Sequence, residues 1–173
     1  NMKFDKIFLI GFMGCGKSTL GKKLAKQLGW NFIDLDAFIE KKEGKSISVI
    51  FKDHGEDYFR NLETKTLNQL SERSFYIVSC GGGTPCFNNN IEIINQLGMS
   101  VYIKLSTDTL YERLKSEKMN RPLIANLTDS KMKLFIDKTL KQRAVFYEKA
   151  IEIFNSELQS EEKFVKRLND FIV

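Results

Sequence analysis

Three features of the chain predict an α/β fold, a parallel sheet with helices on both faces. Short apolar runs alternate with segments of helical periodicity. The first such pair is joined by Gly11-Phe-Met-Gly-Cys-Gly-Lys-Ser18, the spacing G-x-x-x-x-G-K-[ST] of a phosphate-binding loop, or P-loop. The residues able to do chemistry follow the apolar runs, at the carboxyl ends of strands, where such sheets bind ligands.

The elements are read in order. Lys6-Ile-Phe-Leu-Ile10 is a buried parallel strand. Leu20, Leu24, Ala25 and Leu28 then recur at helical spacing and stop at Gly29, a C-terminal cap. Asn31–Asp34 is a second strand, and Phe38 to Phe51 forms short helices around a turn at Lys41–Lys45. Phe59, Leu62, Thr66, Leu67 and Leu70 mark a longer helix from Glu56 to about Glu72. Tyr76–Ser79 is a third strand, running into Gly81, Gly82 and Gly83. Ile91, Ile94 and Leu97 mark a helix closed by Gly98, Val101–Leu105 is a fourth strand, and Leu110 and Leu114 belong to the next helix. From 115 to 129 periodicity is lost, and Arg121-Pro122 breaks any helix. A polar loop of that length inside a compact domain is expected to be a functional lid. Met132–Tyr147 is helical, Ala150–Phe154 is a fifth strand, and Glu161–Phe171 is a final helix.

The length suits one domain, taken as 2–173 with Asn1 ahead of Met2 set aside. No stretch has the length of a membrane span and no signal-peptide pattern opens the chain, so no membrane association is expected. Three cysteines, an odd count without C-x-x-C, argue against a disulfide framework or a zinc site and for a reducing cytoplasm. The net charge of +5 comes from scattered lysines without a five-residue basic block. Binding of ATP and an anionic small molecule accounts for it better than nucleic acid does. His54 is the only histidine, so neither a triad nor a metal cluster can be built on it.

In the P-loop, glycines let successive N–H groups point at phosphate oxygens, Lys17 reaches the β- and γ-phosphates, and Ser18 is set for Mg²⁺. Cys15 occupies a variable position of the motif beside a helix N-terminus; a bulky thiol reagent there is expected to block ATP. Asp34 and Asp36 alternate at the end of the second strand and point the same way off it. One can hold a metal-bound water, and the other can accept a proton from the phosphate acceptor. Asp36 can instead cap a helix beginning at Ala37, and the two roles are compatible. On spacing alone, Glu56, Arg60 and Glu63 read as ion pairs on a solvated helix face. Gly81–Gly83 allow close backbone approach to a ligand. Arg121 in the lid can neutralise charge on a transferred phosphoryl group, and Arg143 lies on the helix after it.

Together these pieces resemble the shikimate kinase family over nearly the whole chain. The carriers are Gly11–Ser18, Asp34-x-Asp36, Gly55-Glu56-x-x-Phe59-Arg60-x-x-Glu63, Gly81–Gly83, Arg121-Pro122-Leu123 and Arg143-x-x-x-Tyr147-Glu148. The resemblance implies a three-layer α/β/α P-loop kinase fold like that of nucleoside monophosphate kinases, with sheet order 2-3-1-4-5 and a mobile lid. It implies transfer of the γ-phosphoryl group of ATP to the 3-hydroxyl of shikimate, on the way to chorismate and the aromatic amino acids; separately, the sequence has no obvious oligomerising seam, so a monomer is expected. The resemblance implies that residues 36–72 supply helices to the shikimate site. Arg60 and Arg143 would then bind the shikimate carboxylate, which reverses the ion-pair reading of Arg60. Asp36 would bind hydroxyls and act as base, with Gly81, Gly82 and Gly83 lining the ring. Gly14, Cys15, Gly16, Lys17, Ser18, Thr19 and Arg121 would hold the nucleotide, with Arg113 and Gln159 near the adenine. Ser18 and, through water, Asp34 would ligate Mg²⁺.

Two rival readings make different predictions. A gluconate-type kinase on the same fold would also want a carboxylate clamp, whereas a nucleotide kinase would want a base-recognition pocket, for which no motif is present. A GTP-dependent switch would carry Asn-Lys-x-Asp, and that tetrapeptide does not occur.

Overall fold

The computed structural model describes residues 3–173. Asn1, and Met2 at the start of the expected domain, lie outside them. Five strands, β1 (Lys6–Ile10), β2 (Asn31–Asp34), β3 (Tyr76–Ser79), β4 (Met99–Lys104) and β5 (Glu152–Asn155), form one sheet in the order β2-β3-β1-β4-β5. Every pairing is parallel. The helices are α1 (Lys17–Leu28), α2 (Leu35–Glu43), α3 (Ile47–His54), α4 (Glu56–Gln69), α5 (Asn90–Leu97), α6 (Thr107–Lys115), α7 (Asp129–Tyr147) and α8 (Glu161–Leu168).

Alternate residues of β1 serve opposite cores, as a strand covered on both faces requires. Ile7 and Leu9 pack in one core with Leu20 and Leu24 of α1, Leu114 of α6, Ile136 of α7 and Phe164 of α8. Phe8 and Ile10 pack in the other with Ile39 of α2, Ile50 of α3, Phe59 of α4 and Ile94 of α5. Helix α7 reaches both, because Tyr147 at its end belongs to the second core. The helices framing the P-loop thus share one face, and α2 to α5 cover the other. Register sets Leu9, Asp34 and Ser79 level across three adjacent strands, one step below the mouth of the P-loop.

Several boundaries differ from those read in the sequence. The long helix ends at Gln69 and tightens into a 3₁₀ turn over Leu70–Glu72. Strand β4 starts at Met99, directly after Gly98, where a Cβ would lie 2.6 Å from the Lys6 carbonyl oxygen. Strand β5 starts at Glu152 and α8 stops at Leu168. The segment read as a lid holds a 3₁₀ turn at Lys118–Asn120, and Ile124 anchors it in the core, while Met119 and Leu123 stay exposed. Periodicity could not reveal Ile124 between turns, with Leu127 packed partly buried against the same core. Helix α7 begins at Asp129, capped by the Thr128 hydroxyl, which accepts from Lys131 N at 3.3 Å.

Candidate active site

The P-loop, the ends of β2 and β3 and the segment over 115–129 border a cleft of about 630 Å³. Gly16 caps α1 at φ 100°, a left-handed backbone that only glycine adopts without strain. The turn aims the N-terminus of α1, with its free N–H groups, into the cleft. Lys17 Nζ donates to the Gly11 and Phe12 carbonyl oxygens at 2.6 and 3.1 Å, folded back along its own loop. Among the described residues, the hydrogen-bond partner of Ser18 Oγ is the Ser79 hydroxyl, at 3.5 Å. Thr19 is exposed at the rim. Cys15 is 3% exposed and packs in the core below the loop, so a thiol reagent reaches it only when the loop opens.

The two aspartates reach the cleft by different routes, because the chain turns into α2 immediately after Asp34. Asp34, not Asp36, is the cap, its Oδ1 accepting from Ala37 N at 3.1 Å. Asp36 lies in the first turn of α2. Simple strand alternation therefore does not orient the pair, although both line the cleft. Burial pushes the Asp36 carboxyl up to about 6, with Glu63 and Asp34 adding to the effect and Lys17 opposing it.

Glycines 81–83 owe their identity to space. None of the three has a positive φ. A Cβ would lie 2.9 Å from Asp36 Oδ1 at Gly81, 2.9 Å from Arg143 Nη1 at Gly82 and 2.7 Å from Arg60 Nη2 at Gly83. Each glycine makes room for one charged side chain. This run brings Asp36 from α2, Arg60 from α4 and Arg143 from α7 to one wall.

Arg60 is 12% exposed and held on several sides. Its Nη1 donates to Glu63 Oε1 at 2.8 Å, and the Phe87 ring lies 4.1 Å from its Cζ. Its Nε and Nη2 meet only Glu56, at 3.3 Å each, a half-exposed carboxylate. Such a pair contributes roughly 1 kcal/mol at most, so this edge can be yielded to a planar anion, which a guanidinium binds with two parallel bonds. Arg143 stands over the Phe12 ring at 5.6 Å. One turn on, the buried Tyr147 phenol donates to the Gly82 carbonyl oxygen at 2.5 Å.

Arg121 is clasped by Glu117 at 2.8 Å on the cleft rim. Arg113 donates to the Gly14 and Cys15 carbonyl oxygens at 3.4 and 3.3 Å and borders a second hollow of about 190 Å³ with Thr19, Phe154 and Glu161. Gln159 lines neither cavity. It is turned onto its own loop, where Oε1 accepts from Asn155 N at 2.8 Å. Sequence reasoning missed Ser79, Thr84 and Phe87. Ser79 could have been found as the last residue of a strand on the active edge, but the other two carry no motif.

Comparison with known proteins agrees with this geometry. A family model described as shikimate kinase matches residues 13–173. A shikimate kinase of Phocaeicola vulgatus is 45% identical over 152 residues, covering 88% of this chain and 87% of that protein. The crystal structure of shikimate kinase from Bacteroides thetaiotaomicron superposes with a TM-score of 0.87 at 40% identity, over 95% of this chain and 96% of that one. The enzyme from Acinetobacter baumannii in complex with shikimate gives a TM-score of 0.82 at 32% identity, over 96% and 92%.

Proposed function

The chain belongs to the shikimate kinase family, and we infer from this that it transfers the γ-phosphoryl group of ATP to the 3-hydroxyl of shikimate. The observation that carries the reading at this site is the convergence of Asp36, Arg60 and Arg143 on the glycine run, across one cleft from the P-loop.

Arg60 presents its Nε/Nη2 edge to the shikimate carboxylate and Arg143 supplies the second charge, while Gly81–Gly83 line the ring. The ring hydroxyls then lie toward Asp36. The triphosphate lies along the P-loop amides with Lys17 released onto its β- and γ-oxygens. The adenine lies in the smaller hollow against Arg113, with Gln159 bracing the loop that borders it. Ser18 and Asp34 fit Mg²⁺: the Ser18 hydroxyl has one weak neighbour, and Asp34 spends a single oxygen on its cap. These are the hard oxygen donors that this ion takes. Bound Mg²⁺ supplies positive charge to the phosphate oxygens during transfer.

The acceptor oxygen forms a bond to Pγ as the bond from Pγ to the ADP oxygen breaks. The hydroxyl proton passes late to the Asp36 carboxylate. The transition state is loose and highly charged, so Lys17, the P-loop amides and Arg121 act by electrostatics. Arg121 leaves Glu117 as the lid over 115–129 closes. We read 2–173 as one domain and the protein as a cytoplasmic monomer; three unpaired cysteines support that compartment.

The test is ADP release from Mg·ATP with shikimate, gluconate, nucleoside monophosphates or no acceptor. Stimulation by shikimate alone is expected. Equal stimulation by gluconate would count against the assigned acceptor.

A further inference from the structure

We propose that Thr84 is a positioning residue for acceptor binding: its buried hydroxyl orients Glu63, and Glu63 orients the Arg60 fork. The proposal rests on the reading of Arg60 as a shikimate ligand.

Glu63 is a carboxylate with 1% of its side chain exposed. A buried carboxylate needs partners on both oxygens, and leaving one unmet is costly. Oε1 accepts from Arg60 Nη1 at 2.8 Å, and Oε2 accepts from the Thr84 hydroxyl. Thr84 is fully buried, in the 3₁₀ turn that follows the glycine run. Its Oγ1 lies behind the glycine run, 3.1 Å from where a Cβ on Gly81 would stand.

The main chain of Thr84 is held independently of its hydroxyl. Fully buried Asn90 donates to the Thr84 carbonyl oxygen at 2.9 Å, and Thr64 Oγ1 donates to Asn90 Oδ1 at 2.8 Å. A substitution that removes only the hydroxyl therefore keeps the turn in place.

With Oε2 satisfied by Thr84, Glu63 takes a single N–H from Arg60. The Nε/Nη2 edge then stays turned toward the acceptor. Without the hydroxyl Oε2 is orphaned, and among the described residues the cation that Glu63 pairs with is the same guanidinium. A second bond to it swings the fork away from the shikimate carboxylate. The structure thus assigns Thr84 a role in acceptor affinity, exerted through two intervening side chains.

The experiment compares Thr84→Val, which keeps shape and loses the hydroxyl, with Thr84→Ser, which keeps the hydroxyl, alone and in an Arg60→Lys background. Thr84→Val should raise the KM for shikimate about tenfold, with the KM for ATP and kcat at saturating shikimate within about twofold of the parent. Thr84→Ser should restore the shikimate KM to within about twofold. In the Arg60→Lys background, Thr84→Val should add less than about twofold, because both changes act on one fork. If Thr84→Val does not fold, Thr84→Ala carries the same expectation. Should Arg60→Lys raise the shikimate KM while Thr84→Val leaves it unchanged, the proposal is overturned and the Arg60 reading stands. It is also overturned if Ser and Val variants are impaired alike. An unchanged shikimate KM in Arg60→Lys would sink the Arg60 reading, and the proposal with it.

Discussion

Asp36 carries two opposing demands. As a base it must be ionised, yet burial and the neighbouring carboxylates of Glu63 and Asp34 hold its carboxyl near 6, above the ordinary aspartate range. A carboxyl with a raised folded-state pKa binds its proton more tightly when folded. Its stabilising share is therefore fully present below about pH 4 and is lost as pH rises through about 6. At pH 7.5 the ionised side chain costs stability that the neutral amide does not. Asp36→Asn should therefore be more stable than the parent at pH 7.5 by about 1–2 kcal/mol, with the gain vanishing near pH 4. The same variant should lose kcat by at least about a hundredfold while ATP affinity stays near that of the parent. Parallel urea titrations at the two pH values and single-turnover phosphorylation check both halves. Near-normal turnover would remove Asp36 from the base role.

At the level of elements, α7 joins the lid to the acceptor wall. Thr128 caps its start at the lid's end, Arg143 projects from its last turns, and Tyr147 closes it onto the glycine run. The phenol lies 5.0 Å from the Tyr102 ring of β4, and burial raises its pKa, so it remains a donor at neutral pH. Removing the hydroxyl orphans the Gly82 carbonyl. Tyr147→Phe should lower stability by about 1–2 kcal/mol and raise the shikimate KM several-fold, leaving the ATP KM unchanged; denaturant melts and initial rates report each. The glycine run illustrates what local reading reaches. Three glycines after a strand signalled close approach to a ligand; what the structure shows there is close approach of the chain's own side chains. That Asp36, Arg143 and Arg60 gather there was legible only through the family resemblance, because no local spacing encodes contacts that span tens of residues. Likewise Asp34 and Asp36 were legible as a pair, but which one caps α2 depends on the residue at which the chain turns.

Across the whole molecule, the sheet separates two jobs. Helices α1, α6 and α8 build the face that frames the P-loop and the smaller hollow, and α2 to α5 build the face that carries Arg60 and the acceptor wall. The two faces meet at the carboxyl ends of β1, β2 and β3, where the cleft joins the P-loop to Asp36, Gly81 and Gly82. Chelation with EDTA should abolish ADP release and added Mg²⁺ should restore it. Mg·ATP at about a hundred times its Kd should add about 2.7 kcal/mol of stability, read as a rise in Tm. The sequence by itself determined the alternation of strands and helices, the P-loop and the family's set of charged residues. Those signals are short-ranged, being periods of two or 3.6 residues and motifs of fixed spacing. Only the tertiary structure decided that Cys15 faces the core, that Gln159 braces its own loop, that Ile124 pins the lid, and that Thr84 stands behind Glu63 and Arg60. Each of those outcomes depends on packing or hydrogen-bond partners that no short spacing encodes.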